Sequence, residues 1–123
     1  MKLIIIEDES EISEIIRITV ELQWPDAEIY ATHLGKEGIE LVRDKQPDTV
    51  ILDLGLPDTD GYDVLKQIRD FSDVSILILT ARGEESDISR GLEYGASDYV
   101  VKPFRRMEIL ERIQALLPDN NPG

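Results

Sequence analysis

Three runs of aliphatic, largely β-branched residues, at positions 3–6, 49–54 and 74–79, constrain this chain more than any other feature. Each is too short for a buried helix and apolar at successive positions, so each reads as a strand covered on both faces. Weaker candidates of the same kind lie at 27–31 and 98–101. The stretches between them carry helical spacing. Ile12, Ile15, Ile16, Thr19 and Val20 share one face, Ile39 and Val42 a second, and Val64, Leu65 and Ile68 a third. Ile88 with Leu92, and Ile109 with Ile113, Leu116 and Leu117, form two more. Ser10 is placed to cap the first helix and Gly95 to stop the fourth. A strand-helix unit repeated five times predicts an α/β fold, a doubly wound (βα)5 sandwich with one parallel five-stranded sheet.

Composition limits what such a sheet can serve. The chain has 123 residues, with 26 acidic side chains against 13 Lys plus Arg, a formal charge of −13. Its length predicts one domain over residues 1–117, and 118–123 has turn composition. That tail reads equally as a frayed terminus or as the start of a linker to an absent output domain. The acidic balance argues against direct nucleic-acid binding and against anionic membrane surfaces. With no cysteine there is no disulfide framework, thiolate metal site or thiol catalysis. No apolar run approaches a membrane span and no targeting segment is visible, so a soluble, cytoplasmic protein is expected.

In open α/β sheets, function gathers beyond the carboxyl ends of the strands. Those ends carry Glu7-Asp8-Glu9, Asp53-Leu54-Gly55-Leu56-Pro57, Thr80-Ala81 and Lys102-Pro103. In the flavodoxin-like order 2-1-3-4-5, strands one and three are neighbours, which brings Glu7, Asp8 and Asp53 to one edge. Clustered carboxylates repel, so either a pKa rises or a cation sits among them. Hard oxygen donors suit Mg²⁺, or Mn²⁺ in its place. Lys102 and Thr80 flank the cluster with an ammonium and a hydroxyl, an arrangement suited to a phosphoryl group carried on a carboxylate. Singly, an acidic triplet is most often a solvated loop, a lysine a surface charge and a threonine a cap. Asp53 differs because it interrupts an aliphatic run, where a carboxylate is rarely placed without a partner. Their co-occurrence at successive strand ends carries the argument.

With Asp60-Gly61, Gly95-Ala96-Ser97-Asp98-Tyr99 and Lys102-Pro103-Phe104 added, the chain resembles two-component response-regulator receiver domains of the CheY-like superfamily. The resemblance runs from about residue 2 to residue 117. Within the superfamily it is nearest to receivers of winged-helix (OmpR/PhoB-type) transcription regulators. It implies a phosphorylation-activated switch rather than an enzyme. Asp53 would accept a phosphoryl group from a sensor histidine kinase or phosphotransfer protein. Asp8, Asp53 and the backbone carbonyl of Gly55 would ligate Mg²⁺, with Glu7 acting through water. Lys102 and Thr80 would bind phosphoryl oxygens, and Tyr99 would follow Thr80 inward as an aromatic switch. Gly55 and Arg82 would flank the path of hydrolytic water, Ala81 would leave room for the phosphoryl group, and Lys102-Pro103 would be cis. Gly61 reads as an ordinary turn or cap residue, and His33 as a surface one.

The output is left open between a transcriptional regulator and a stand-alone receiver or phosphorelay intermediate. A haloacid-dehalogenase-type phosphatase would want a second Asp where Gly55 stands. A flavodoxin-like cofactor binder would want a phosphate-cradling loop where Glu7-Asp8-Glu9 would repel phosphate. A scaffolding pseudo-receiver would have lost an acid, the Thr or the Lys, and none is lost. Winged-helix receivers pair through the fourth helix, fifth strand and fifth helix. On that face this chain keeps Asp98 with Arg112, but Ile88 stands where a base would meet Glu108, and Asp119 adds negative charge. A monomer or weak homodimer through that face is therefore expected.

Overall fold

The computed structural model describes residues 1–81 and 85–117. Five strands, β1 (Lys2–Ile6), β2 (Glu28–Thr32), β3 (Thr49–Asp53), β4 (Ser75–Thr80) and β5 (Asp98–Val101), alternate with five helices. These are α1 (Ser10–Gln23), α2 (Gly35–Lys45), α3 (Gly61–Arg69), α4 (Glu85–Glu93) and α5 (Arg106–Leu116). The sheet order is β2-β1-β3-β4-β5, the expected flavodoxin-like order, with every pairing parallel, as the alternation predicts. Arg82 and Asp119, together with the 118–123 tail, lie outside the described residues.

The aliphatic runs are continuous because both faces of the sheet are covered. Successive side chains point to opposite faces. Ile4, Ile6, Val50, Leu52, Ile76 and Ile78 therefore pack with α2 and α3, through Ile39, Val42, Val64, Leu65 and Ile68. Leu3, Ile5, Ile51, Leu77, Leu79 and Val100 pack with α1 and α5, through Ile16, Val20, Ile109, Ile113 and Leu117.

Several local expectations shift. The buried stripe of α1 is centred on Ile16 and Val20 and includes Ser13, which leaves Ile15 44% exposed. On α4 the residue buried against the sheet is Gly91, where a Cβ would stand 2.8 Å from Ile78 Cδ1, and Leu92 turns outward. Ser10 is the first helical residue rather than the cap. Glu9 holds the cap position without a capping bond, its carboxylate reaching Lys102 instead. Gly95 does end the α4 region, at φ +109°, and the Lys102-Pro103 peptide is cis.

Gly61 is more than a turn residue. Asp60 caps α3 through the Tyr62 N–H, and Gly61 N donates to Leu54 O at 3.1 Å. A Cβ on Gly61 would lie 2.4 Å from Leu54 Cα and 2.8 Å from Asp53 O, both backbone atoms of the segment that ends β3. Overpacking of this kind costs about 1–3 kcal/mol. Gly61→Ala should lower the urea midpoint accordingly, and an unchanged midpoint would show that the loop yields freely.

Candidate functional site

Pleat alternation sorts the strand-end residues. Glu7 continues the Leu3–Ile5 row, Asp53 follows Ile51, and Lys102 follows Val100, all on the α1/α5 side of the sheet. Thr80 instead continues the Ile76–Ile78 row, and Tyr99 packs against the opposite cluster. The ladder extends past the strand ends to hold these positions. Glu7 N donates to Thr32 O at 3.0 Å, Leu54 N to Leu79 O at 3.3 Å and Lys102 N to Thr80 O at 2.8 Å.

The three acids meet as the strand order requires. One carboxylate oxygen from each of Glu7, Asp8 and Asp53 lies within 4.8 Å of the others. Glu7 is fully buried, Asp53 is 5% exposed and Asp8 is half-buried. Lys102 Nζ stands 2.7 Å from Glu7 Oε1, 3.4 Å from Glu9 Oε2 and 3.5 Å from Asp53 Oδ1. Burial and the neighbouring Asp53 push the Glu7 carboxyl up to about 8, against the pull of Lys102. Burial and Asp53 also raise Asp8. Burial works to raise Asp53 too, but Glu7, the Gly55 N–H at 3.2 Å and the Lys102 ammonium outweigh it and hold it below its ordinary range. Lys102 is raised, because its bond to Glu7 outweighs burial.

Glu7 Oε2 is buried without a hydrogen-bond partner among the described residues. A buried carboxylate oxygen beside another carboxylate calls for a proton or a cation between them. The donor set fits a hard divalent ion such as Mg²⁺, with Asp8 and Asp53 facing the opening. The cluster borders a cavity of about 260 Å³ lined by Asp8, Glu9, Asp53, Leu54, Gly55, Thr80, Ala81 and Lys102. Gly55 and Ala81 are exposed at its mouth, while Thr80 is 2% exposed on the far wall.

Tyr99 is half-buried and shares a second cavity, of about 10 Å³, with Thr80, Ile88 and Leu92. Asp98 and Arg112 close on each other within the chain, Arg112 Nη1 lying 2.9 Å from both carboxylate oxygens. Glu108 is not left without a base, since Arg112 Nη2 is 3.8 Å away, one helical turn along. Glu9's contact with Lys102, and the bonds that Asp58 accepts from Gly35 N at 2.8 Å and Lys36 N at 3.1 Å at the start of α2, were not legible from residue type, because both depend on loop paths.

Glu7 makes stability depend on pH in a defined direction. A carboxyl raised in the folded state contributes most below its ordinary pKa of 4.5 and loses that contribution as pH rises through about 8. Without metal, the urea midpoint should fall from pH 4.5 to pH 8, and Glu7→Gln should flatten the fall. Millimolar Mg²⁺ should restore more stability at pH 8 than at pH 5, and much less in Asp8→Asn. Equal Mg²⁺ shifts at both pH values, or in both proteins, would contradict the clustered site.

Residues 3–114 match the response regulator receiver domain family. A candidate response regulator from Chloroflexus aurantiacus is 31% identical with a TM-score of 0.84, covering 94% of this chain and 95% of its own. The receiver domain of Francisella response regulator 1452 is 27% identical with a TM-score of 0.87, and 94% of each chain is covered. The beryllofluoride-activated N-terminal receiver domain of Klebsiella pneumoniae RstA is 28% identical with a TM-score of 0.81, covering 94% of this chain and 97% of its own. The match extends over nearly the whole sheet and all four strand ends that build the acidic cavity, and by it this chain belongs to the response regulator receiver domains of two-component signalling.

Proposed function

We propose that Asp53 is the phosphoacceptor of this receiver and that Thr80 and Tyr99 carry the resulting change to the α4–β5–α5 face. The observation that carries the reading is Asp53 itself, nearly buried at the end of β3, held ionised and opening on the cavity beside Lys102. An ionised Asp53 oxygen attacks the phosphorus of a phosphohistidine on a sensor kinase or phosphotransfer protein. The P–N bond breaks, and the imidazole leaves with a proton. Lys102 turns an ammonium N–H from Asp53 to a phosphoryl oxygen, while Glu7 Oε1 keeps its hydrogen bond to the same ammonium. Thr80 hydrogen-bonds a second oxygen. Asp8, Asp53 and the Gly55 carbonyl would hold Mg²⁺ directly and Glu7 through water, and the bound ion would supply charge neutralisation for the transferring group. Catalysis here is positioning and electrostatics, and the chain is a switch that assists its own phosphorylation rather than a turnover enzyme.

Incubation with acetyl phosphate and Mg²⁺ should give one hydroxylamine-labile adduct of about 80 Da by mass spectrometry. Asp53→Asn should abolish it while leaving the circular dichroism spectrum unchanged. Full labelling of that variant would refute the assignment.

We read the output as transcriptional, through a separate winged-helix domain after Gly123 rather than as a stand-alone receiver or phosphorelay intermediate, with the receiver acting in the cytoplasm. No helix among the described residues is long and apolar enough to cross a membrane. Self-association through Ile88, Asp98, Glu108 and Arg112 is weak in this reading. The Asp98–Arg112 pair is already satisfied within one chain, and the net charge is −13. Exposed pairs contribute only about 0.2–1 kcal/mol, and a two-fold axis doubles any repulsion. The Mg²⁺–beryllofluoride form should sediment as a monomer or weak dimer whose association strengthens with salt. A tight dimer that weakens with salt would overturn this.

A further inference from the structure

We infer that Asp58 is a positioning residue for the metal site, acting by pinning the β3–α3 loop to the start of α2. This rests on the reading in which the Gly55 carbonyl ligates Mg²⁺. The loop between Asp53 and Gly61 is held at its ends by the Gly55 N–H on Asp53 Oδ1 and by the Gly61 N–H on Leu54 O. Its outer half is tied differently. Asp58 Oδ1 accepts from Gly35 N at 2.8 Å and Oδ2 from Lys36 N at 3.1 Å.

Those two N–H groups belong to the first turn of α2, which has Leu34 at its cap position and no capping side chain of its own. Asp58, distant in sequence, therefore does the capping, and a carboxylate suits the positive end of the helix dipole. The two N–H groups hold Asp58 below its ordinary range, so it is charged wherever the site works. Packing reinforces the bond. A Cβ on Gly35 would meet Thr59 Cγ2 at 2.5 Å, Val64 Cγ2 at 2.7 Å and Leu56 Cδ1 at 3.1 Å, so the loop is seated directly on the helix start. Because α2 is fixed to β1 through Ile39 and Val42 in the core, the clamp references the Gly55 segment to the same framework that places Glu7 and Asp8. Without it, the loop keeps its two ends but loses its fixed middle, and the Gly55 carbonyl samples positions away from the ion.

The test is calorimetric titration of the full chain with Mg²⁺. Outer-shell partners of metal ligands typically contribute about 10–100-fold to affinity, and a loop anchor one step further out should contribute about three- to tenfold. Asp58→Ala should weaken Mg²⁺ binding by that factor. Asp58→Asn, which keeps one acceptor oxygen, should recover part of it. Asp48→Ala is the control for a purely structural loss. Asp48 also accepts a backbone N–H, Lys2 N at 2.7 Å, but does so at the strand-start edge of the sheet. It should lower the melting temperature while leaving Mg²⁺ affinity unchanged. Wild-type affinity in Asp58→Ala, or equal weakening in Asp48→Ala, would overturn the inference while leaving the phosphoacceptor reading intact. Absence of Mg²⁺ binding in the wild type would overturn both.

Discussion

Glu7 carries a carboxylate to a position with no solvent exposure, and it is tolerated there because Lys102 stands 2.7 Å away and its other oxygen can share a proton or an ion. Removing one member of a buried pair costs several kcal/mol, so neither residue has much freedom to vary alone. The functional edge is built around this contact. It draws the β5 end toward the β1 end across the top of β3. Asp53 is thereby held below its ordinary range, with the Lys102 ammonium 3.5 Å away and the raised Glu7 carboxyl beside it. The three carboxylates crowded at this edge repel one another, and a dication at the proposed metal site would relieve the repulsion that the strand order imposes and prepare the site for a phosphoryl group.

The pleat of the sheet gives the same edge two sides with different tasks. Glu7, Asp53 and Lys102 stand in one row with the core side chains under α1 and α5. Thr80 stands in the other, with the cluster against which Tyr99 packs. In the proposed switch, the phosphoacceptor and Lys102 share one face, while Thr80 and the aromatic readout belong to the other. Thr80, with Leu54, lines both the acidic cavity and the small cavity beside Tyr99.

Much of this was legible in the sequence, for reasons that also explain what was not. Doubly covered strands need apolar residues at every position, so 49–54 and 74–79 declared themselves, and Asp53 stood out as a charge inside such a run. The alternation called for a parallel sheet, and the flavodoxin-like order adopted for it brought Glu7, Asp8 and Asp53 together. Helical faces were read less well. Ile15 is about one-third of a turn from Ile16, and a stripe drawn from apolar residues alone included it although the packing face passes through Ser13. On α4 the contact is made by Gly91, which no hydrophobicity pattern marks. Gly61 and Asp58 escaped for a deeper reason. One is required by the backbone of a segment it does not belong to, and the other caps a helix far away in the chain.

The thin seating of α4 bears on how a signal could leave the site. The cavity beside Thr80 and Tyr99 is about 10 Å³, roughly one water molecule by the same measure and far short of a phenol ring. In the proposed switch, inward movement of Tyr99 would need walls of this cavity to give, among them Ile88 and Leu92 of α4. That helix can comply at modest cost. It meets the sheet through a glycine, its larger apolar side chains are half-buried or exposed, and Tyr62 ties it to α3 by a bond to the Asp87 carbonyl. A helix buried by large side chains would resist the shift, and one without the Tyr62 tie would not hold a defined resting position. In the proposed switch, a changed contact at Thr80 would reach the surface through α4, whose seating among the described residues includes the Gly91 contact, the Tyr62 bond to the Asp87 carbonyl and the Arg90 guanidinium over the Tyr62 ring.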